Sequence, residues 1–462
     1  MNKKLVDFQD IFMYNQNDLK IYERRYYTMA KKRYVQVGVG GRAQFYYNAV
    51  ASTYSETSEI VAFCDTNRGR LEYAQESLMK DFGYPAVALY DATEFEKMII
   101  EQKPDYVIVT SIDRTHHKYI IKAMEMGCDV ISEKPMTVDN NKCQDIIDAI
   151  KRTGRNLRVT FNYRYAPHNS KVRELIMNDT IGEVKSVHFE WMLNTSHGAD
   201  YFRRWHRDKR NSGGLFVHKA THHFDLVNFW LGTKPKQVFA MGDLLFYGKE
   251  NAENRGINKL YWRCHGSENA KGDPFAIDMS TNENLKRLYL DCEQYDGYIR
   301  DMSVFGDGIN IEDTMGAVVR YENGAIMSYS LTAYSPREGF RVAFTGTKGR
   351  LEIEVSENNY INGAGDKKKE GGVTGRSIVV YQMFGEPYEV PLESGEGGHG
   401  GGDPVLLNDI FGIPEPDPLN RAASHVDGAM SILTGISANA SIASGMPIDV
   451  MSLVDIPGFR KI

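Results

Sequence analysis

Gly38, Gly40 and Ala43 occupy the three small positions of a Gly-x-Gly-x-x-Ala run that follows an apolar segment, Tyr34–Val39, and opens a predicted helix. The first glycine permits a tight turn, the second lets the backbone approach a pyrophosphate, and the small third residue lets helix and strand pack closely. The helix N-terminus adds free N–H groups and the positive end of its dipole. Asp65 ends a second predicted strand, 22 residues beyond Ala43. A carboxylate there accepts hydrogen bonds from ribose hydroxyls and repels a 2′-phosphate, so the spacing predicts a dinucleotide site that favours NAD over NADP. Gly41 and Arg42 complete the loop. Arg42 and Arg68 lie near enough in sequence to offset that preference in part, although a solvated surface charge is the simpler reading of each.

A second group of residues is suited to proton transfer. Lys134 stands in Glu133-Lys134-Pro135, directly after an apolar strand Asp129–Ser132. Strand C-termini of open parallel sheets face the ligand crevice. A lysine held beside a nicotinamide cation has a lowered pKa and can exchange protons, although read by itself Lys134 is more simply a solvated lysine at a strand end. His218, His222 and Asp225 recur at i, i+4 and i+7, on one helical face. An imidazole titrating near neutrality is a side chain suited to proton transfer. His223 is rotated about 100° from His222. The i, i+4 pair also has metal-ligand spacing, but no metal is expected; buried, satisfied histidines are the plain structural alternative.

These residues need elements to hold them. Predicted strands at 34–39, 59–64, 106–110 and 129–132 alternate with helices at 43–52, 68–82, 92–102 and 116–126. That alternation implies an α/β, doubly wound Rossmann domain over residues 29–158. From 159 to 462 the pattern changes to long alternating strands, with hairpins turning at Glu322-Asn-Gly and Thr347-Lys-Gly. This part reads as an α/β domain with an open, largely antiparallel sheet and helices near 213–231 and 420–445. Segments 245–312 and 356–404 read as long loops or insertions. The run Gly397–Asp403 is either a flap that carries His399 to the site or a mobile loop.

Composition narrows the class. The 462 residues include 55 basic and 61 acidic side chains, a net charge of −6, which gives no footing for nucleic acid or an anionic membrane. Hydrophobic residues at 42% and charged residues at 25% are ordinary for a globular chain. Five cysteines without a Cys-x-x-Cys pair suggest free thiols in a reducing cytoplasm. No apolar stretch approaches the ~18 residues of a membrane span. Residues 1–28 have no apolar signal core and read as an N-terminal extension.

Taken in order, the motifs resemble the Gfo/Idh/MocA family of NAD(P)-dependent sugar and cyclitol oxidoreductases. They are the loop at 38–43, Asp65, Thr110-Ser-Ile-Asp-Arg-Thr-His116, Ala123 with Gly127, and Glu133-Lys-Pro135. Asn162-Tyr-Arg164-Tyr with Pro167, Trp205 through Gly214, and His222-His-Phe-Asp225 complete the series. The resemblance covers residues 34–232 well. It implies that Thr110, His116 and Glu133 border the cofactor and that Lys134 contacts both nicotinamide and substrate hydroxyl. It implies that His222 is the base and that Tyr163, Arg164, Trp205, Lys219 and Asp225 surround a carbohydrate. Arg164 fits an ion-pair brace slightly better than a sugar contact, and Trp205 either stacks on a sugar face or simply packs. The family pattern Asp-x-x-x-His-x-x-Asp becomes His218, His222, Asp225 here. A histidine at 218 can bond a hydroxyl but cannot supply the missing negative charge. The expected activity is oxidation of a secondary ring hydroxyl of a sugar, glycoside or cyclitol, such as C3 of a glycoside, by a homo-oligomer. Two rivals are a glycosidase-like enzyme using transient oxidation without net redox change and a non-catalytic NAD-binding sensor.

Overall fold

The computed structural model describes residues 30–357, 372–393, 395, 397–413 and 415–455; the expected extension over 1–28 lies outside them. The first domain holds β1 (Lys32–Val37), β2 (Ser58–Asp65), β3 (Ala88–Asp91), β4 (Tyr106–Val109), β5 (Asp129–Ser132) and β6 (Leu157–Val159). All pair in parallel, in the order β3–β2–β1–β4–β5–β6. Helices α1 (Gln44–Ala51), α2 (Arg68–Phe82), α3 (Phe95–Gln102), α4 (His116–Glu125) and α5 (Asn140–Thr153) cover the sheet. The apolar runs of β1 and β4 are buried on both sides, as a parallel sheet requires. Winding reverses between β1 and β4, which opens a crevice at their C-terminal ends. Two strands beyond the expected four, β3 and β6, have only four and three residues. Runs that short carry no period to recognise.

The second domain is built on nine strands: β7 (Val184–Asn194), β8 (Pro235–Asp243), β9 (Thr314–Tyr321), β10 (Ile326–Ser335), β11 (Glu338–Gly346), β12 (Gly349–Glu357), β13 (Val373–Gln382), β14 (Tyr388–Glu389) and β15 (Ile448–Asp449). Their order is β14–β13–β12–β11–β7–β10–β9–β8–β15, antiparallel throughout except for β7 with β10. The principal helices are α6 (Pro167–Met177), α7 (Thr195–Arg203), α8 (Leu215–His218), α9 (Ala220–Leu231), α10 (Gly398–Phe411) and α11 (His425–Ser444). They leave alternate residues of the other sheet face, such as Val318 and Ile326, exposed. None of the helices among the described residues is long and apolar enough to cross a membrane.

Three expectations change. The helix expected over 213–231 is broken at Lys219, so His218 and His222 sit on two short helices, α8 and α9. The segment 356–404 is not all loop, because β13 extends the sheet there through pairing with β12. The run Gly397–Asp403 is packed rather than free. A Cβ at Gly402 would lie 2.4 Å from the Asn162 carbonyl oxygen, so its glycine density serves close backbone approach.

Candidate active site

The chain turns sharply after β1 because Gly38 has φ +84°, and a Cβ there would lie 2.5 Å from the Ser111 nitrogen. Thr110 Oγ1 donates to the Gly38 carbonyl at 2.5 Å and accepts from Gln36 Nε2 at 3.0 Å, pinning the loop to β4. Asp65 accepts from the Val39 N–H at 2.7 Å and from the Asn67 N–H at 2.9 Å, which fixes its carboxylate at the crevice. Among the described residues, a Cβ at Gly40 would meet only the Tyr289 hydroxyl, 3.8 Å away. The loop therefore offers an open backbone cradle of the kind a pyrophosphate fills, and a nicotinamide dinucleotide fits it.

A cavity of about 580 Å³ runs from this cradle to His222. At its centre, Lys134 Nζ donates to the His218 carbonyl at 3.2 Å. Burial pushes the lysine down to about 8, against the opposing pull of the Asp113 and Glu133 carboxyls. The His222 ring is buried between Phe161 and Tyr163, and no partner among the described residues reaches its Nδ1. Burial, helped by the Lys134 and Lys219 charges, holds it well below the ordinary histidine range. It is thus a neutral imidazole. His223 faces the other way, stacked on Trp191 at 4.0 Å and bonded to the Tyr329 hydroxyl at 2.6 Å.

His218 lines the same cavity with its Nδ1 2.5 Å from Asp113 Oδ2. The carboxyl group absent from position 218 therefore comes from the first domain, out of the Thr110–His116 motif, and burial holds it well above the ordinary carboxyl range against the pull of Lys134 and Arg204. Nothing in the spacing of that motif singles out Asp113 for this place. Lys219 is buried with its ammonium 4.6 Å from the Trp191 ring and 5.5 Å from that of Tyr163. Trp205 lines the cavity too, stacked on His206 at 3.5 Å. His399 joins them from the glycine-rich run. It is held at φ +51°, with Nδ1 2.9 Å from Asp403, its ring 5.3 Å from Tyr163.

The remaining expected contacts divide. Arg42, His116 and Glu133 line the cavity, with Arg42 paired to Glu133 at 2.6 Å and lying over the Phe45 ring. Glu133 also accepts from the Tyr46 hydroxyl at 2.6 Å, so this pair braces Lys134 from behind. The two His116 nitrogens lie 2.8 and 2.9 Å from the Pro135 and Ser111 carbonyls, and the neutral ring donates its one N–H to one of them. Arg164 and Asp225, expected at the substrate, lie outside the cavity lining as a two-point ion pair, with side chains only 2% and 1% exposed. Taking both charges into a cavity wall would strand each; paired in the core, they satisfy one another. Arg68 is exposed and pairs with Glu72, away from the cradle.

The electrostatics set a pH dependence. If the Lys134 ammonium holds the reacting oxygen, activity persists well below pH 6.5, where His222 stays neutral, and falls as pH rises through about 8. Asp113 pulls the Lys134 pKa upward, so Asp113→Asn moves the alkaline limb to lower pH. A pH–rate profile checks this; an unmoved limb means that Asp113 exerts no charge on Lys134.

Comparison with known proteins matches both domains to one family. Residues 32–161 match the NAD-binding Rossmann fold of the Gfo/Idh/MocA oxidoreductases, and residues 173–450 match their C-terminal alpha/beta domain. The chain is 35% identical to YteT of Bacillus subtilis, classed with the oxidoreductases, over 91% of this chain and 98% of that protein. It is 31% identical to the D-glucoside 3-dehydrogenase of Escherichia coli, over 32% of this chain and 41% of that enzyme. An alpha-N-acetylgalactosaminidase of Tannerella forsythia is 22% identical over 93% of this chain and 86% of its own length.

Proposed function

We propose, since the chain belongs to the Gfo/Idh/MocA oxidoreductase family, that it oxidises a secondary ring hydroxyl of a glycoside or related sugar or cyclitol. The family makes it a nicotinamide-dependent dehydrogenase. The observation that carries the substrate reading is the placement of Lys134, His222 and the buried Lys219 around one polar cavity that begins at the glycine loop. When bound, the nicotinamide supplies the hydride acceptor. The Lys134 ammonium donates to the hydroxyl oxygen, and His222 receives its proton. Asp113 and His218 hold the lysine side of the pocket, while Tyr163 and Trp205 offer apolar ring surface to a sugar face. Incubating the protein with NAD⁺ across glycosides, free sugars and inositols, with NADH fluorescence and product mass as readouts, tests the reading. No oxidised product from any hydroxyl compound would sink it.

NAD is the favoured form. Asp65 is held at the crevice by two backbone N–H groups, and Arg68 is turned away. Asp65→Ala weakens NAD binding by roughly 10- to 100-fold, at about 1.5–3 kcal/mol for a hydrogen bond to a charged group, and narrows the gap to NADP. Tighter binding of NADP than NAD by the unmutated protein overturns the preference.

A second reading has its own support. The glucoside dehydrogenase aligns over about a third of the chain, whereas the glycosidase aligns over 93% of it. Transient oxidation that loosens a glycosidic bond uses a second proton-transfer group, and His399 with Asp403 stands beside Tyr163, as His222 does. Release of an aglycone without accumulation of NADH favours this reading; accumulating NADH favours the first. The free cysteines fit a reducing cytoplasm. The uncovered sheet face, with Val318, Ile326 and Tyr381 exposed, supports a homo-oligomer, which light scattering would measure as a mass above that of one chain.

A further inference from the structure

The segment 279–298 follows β8 in the second domain yet lies against the first. Met279, Leu285, Leu288 and Tyr289 form a small apolar cluster packed on Tyr73 of α2. Arg70 of α2 donates Nε to the Leu288 carbonyl at 3.0 Å and pairs with Asp296 at 2.7 Å. Asn67 donates to the Cys292 carbonyl at 3.0 Å, and Asn284 accepts from Gln44 and Tyr73 at 3.2 and 3.1 Å. At Gly69 the approach is so close that a Cβ would lie 2.8 Å from Cys292 Sγ. The contact nearest the cradle is the most telling. The Tyr289 hydroxyl accepts from the Gly41 N–H at 3.2 Å, inside the glycine loop itself, and Tyr289 and Asp296 line the same cavity as Gly40 and Asp65. A segment that only braced two domains would gain nothing by setting a hydroxyl on that loop.

We propose that residues 279–298 are a strap that completes the dinucleotide site, with Tyr289 presenting its hydroxyl to the pyrophosphate beside the Gly41 N–H, and that keeps the cofactor bound from one turnover to the next. This rests on the nicotinamide-dependent reading above. A ligand walled on a second side leaves only when that wall lifts, so its dissociation is limited by strap opening. The dinucleotide then acts as a resident group and not as a co-substrate drawn from solution.

The test reads nucleotide content, not turnover. Purified full-length protein is passed through gel filtration and denatured, and the released dinucleotide is quantified; close to one per chain is expected. Gly69→Cys then places a thiol against Cys292, with the half-exposed Tyr295 ring swinging aside. Loaded with NAD⁺ and oxidised, this variant should lose nucleotide at least ~10-fold more slowly than when reduced, the difference falling on the dissociation rate. Stripped and then oxidised, it should take up NAD⁺ only after a thiol reductant is added. Gly69→Cys with Cys292→Ser should ignore the redox state. Tyr289→Ala and Asp296→Ala need no latch and should speed loss ~10-fold or more. Equal loss rates in oxidised, reduced and opened forms overturn the strap while leaving the nicotinamide reading intact. Failure to bind any nicotinamide dinucleotide in every form overturns that reading, and the strap with it.

Discussion

Lys134→Ala and His222→Ala each lower kcat by ~10²–10⁴-fold, the usual contribution of a positioned acid or base, while NAD binding changes little. Lys134 reaches the centre of the cavity with its ammonium on the His218 carbonyl, and His222 lies beyond it, buried and neutral. Neither touches the glycine loop or Asp65 in a way that would carry a large binding effect. Turnover measured beside NAD titration by fluorescence separates the two quantities. His223→Ala is the matched control. Its ring stacks on Trp191 in the core, so its loss costs stability and leaves the chemistry in place. Full activity in His222→Ala with none in a folded His223→Ala would put the base on the wrong residue.

Arg164→Met destabilises the protein by about 3–5 kcal/mol, the cost of leaving a buried charge without its partner. Arg164 bonds Asp225 through Nε at 2.7 Å and Nη2 at 2.5 Å, and reaches Asp427 at 2.9 Å. Removing it strands Asp225, whose side chain is 1% exposed. Asp427 tolerates the loss better, because it also accepts from the Ser424 N–H at the start of α11. Arg164→Met with Asp225→Leu therefore recovers most of the loss, since apolar replacement of a buried pair is often neutral. Denaturant midpoints of the single and double variants check this. A single variant within about 1 kcal/mol of the parent shows that the pair does not hold the 162–165 turn to α9.

Much of the first domain was legible because its signals are local. The Gly-x-Gly-x-x-Ala turn, the Asp65 spacing and the buried apolar runs of β1 and β4 are each set within a few residues, by sterics and by burial on both sheet faces. The helix over 68–82 was readable to its ends, with Asn67 capping its start and Gly83 in the left-handed conformation at its close. Lys134, His218 and His222 could be named once the ordered motifs were read together as a resemblance to one family, and all three line one cavity.

What remained hidden depends on contacts between distant segments. Nothing near Arg164 or Asp225 says which way the side chains point; that was decided by α9 packing on α11, which left the pair no water to face. β13 formed inside a segment rich in glycine and charge because β12 offered it an unpaired edge. Asp113 and His218 are 105 positions apart, and Tyr289 and Gly41 are 248 apart. A chain determines by itself where it can turn, pair and titrate, because those are properties of neighbouring residues. Which carboxylate meets which imidazole, and which hydroxyl closes over the glycine loop, follows only once burial has brought remote groups together and obliged each polar atom to find a partner.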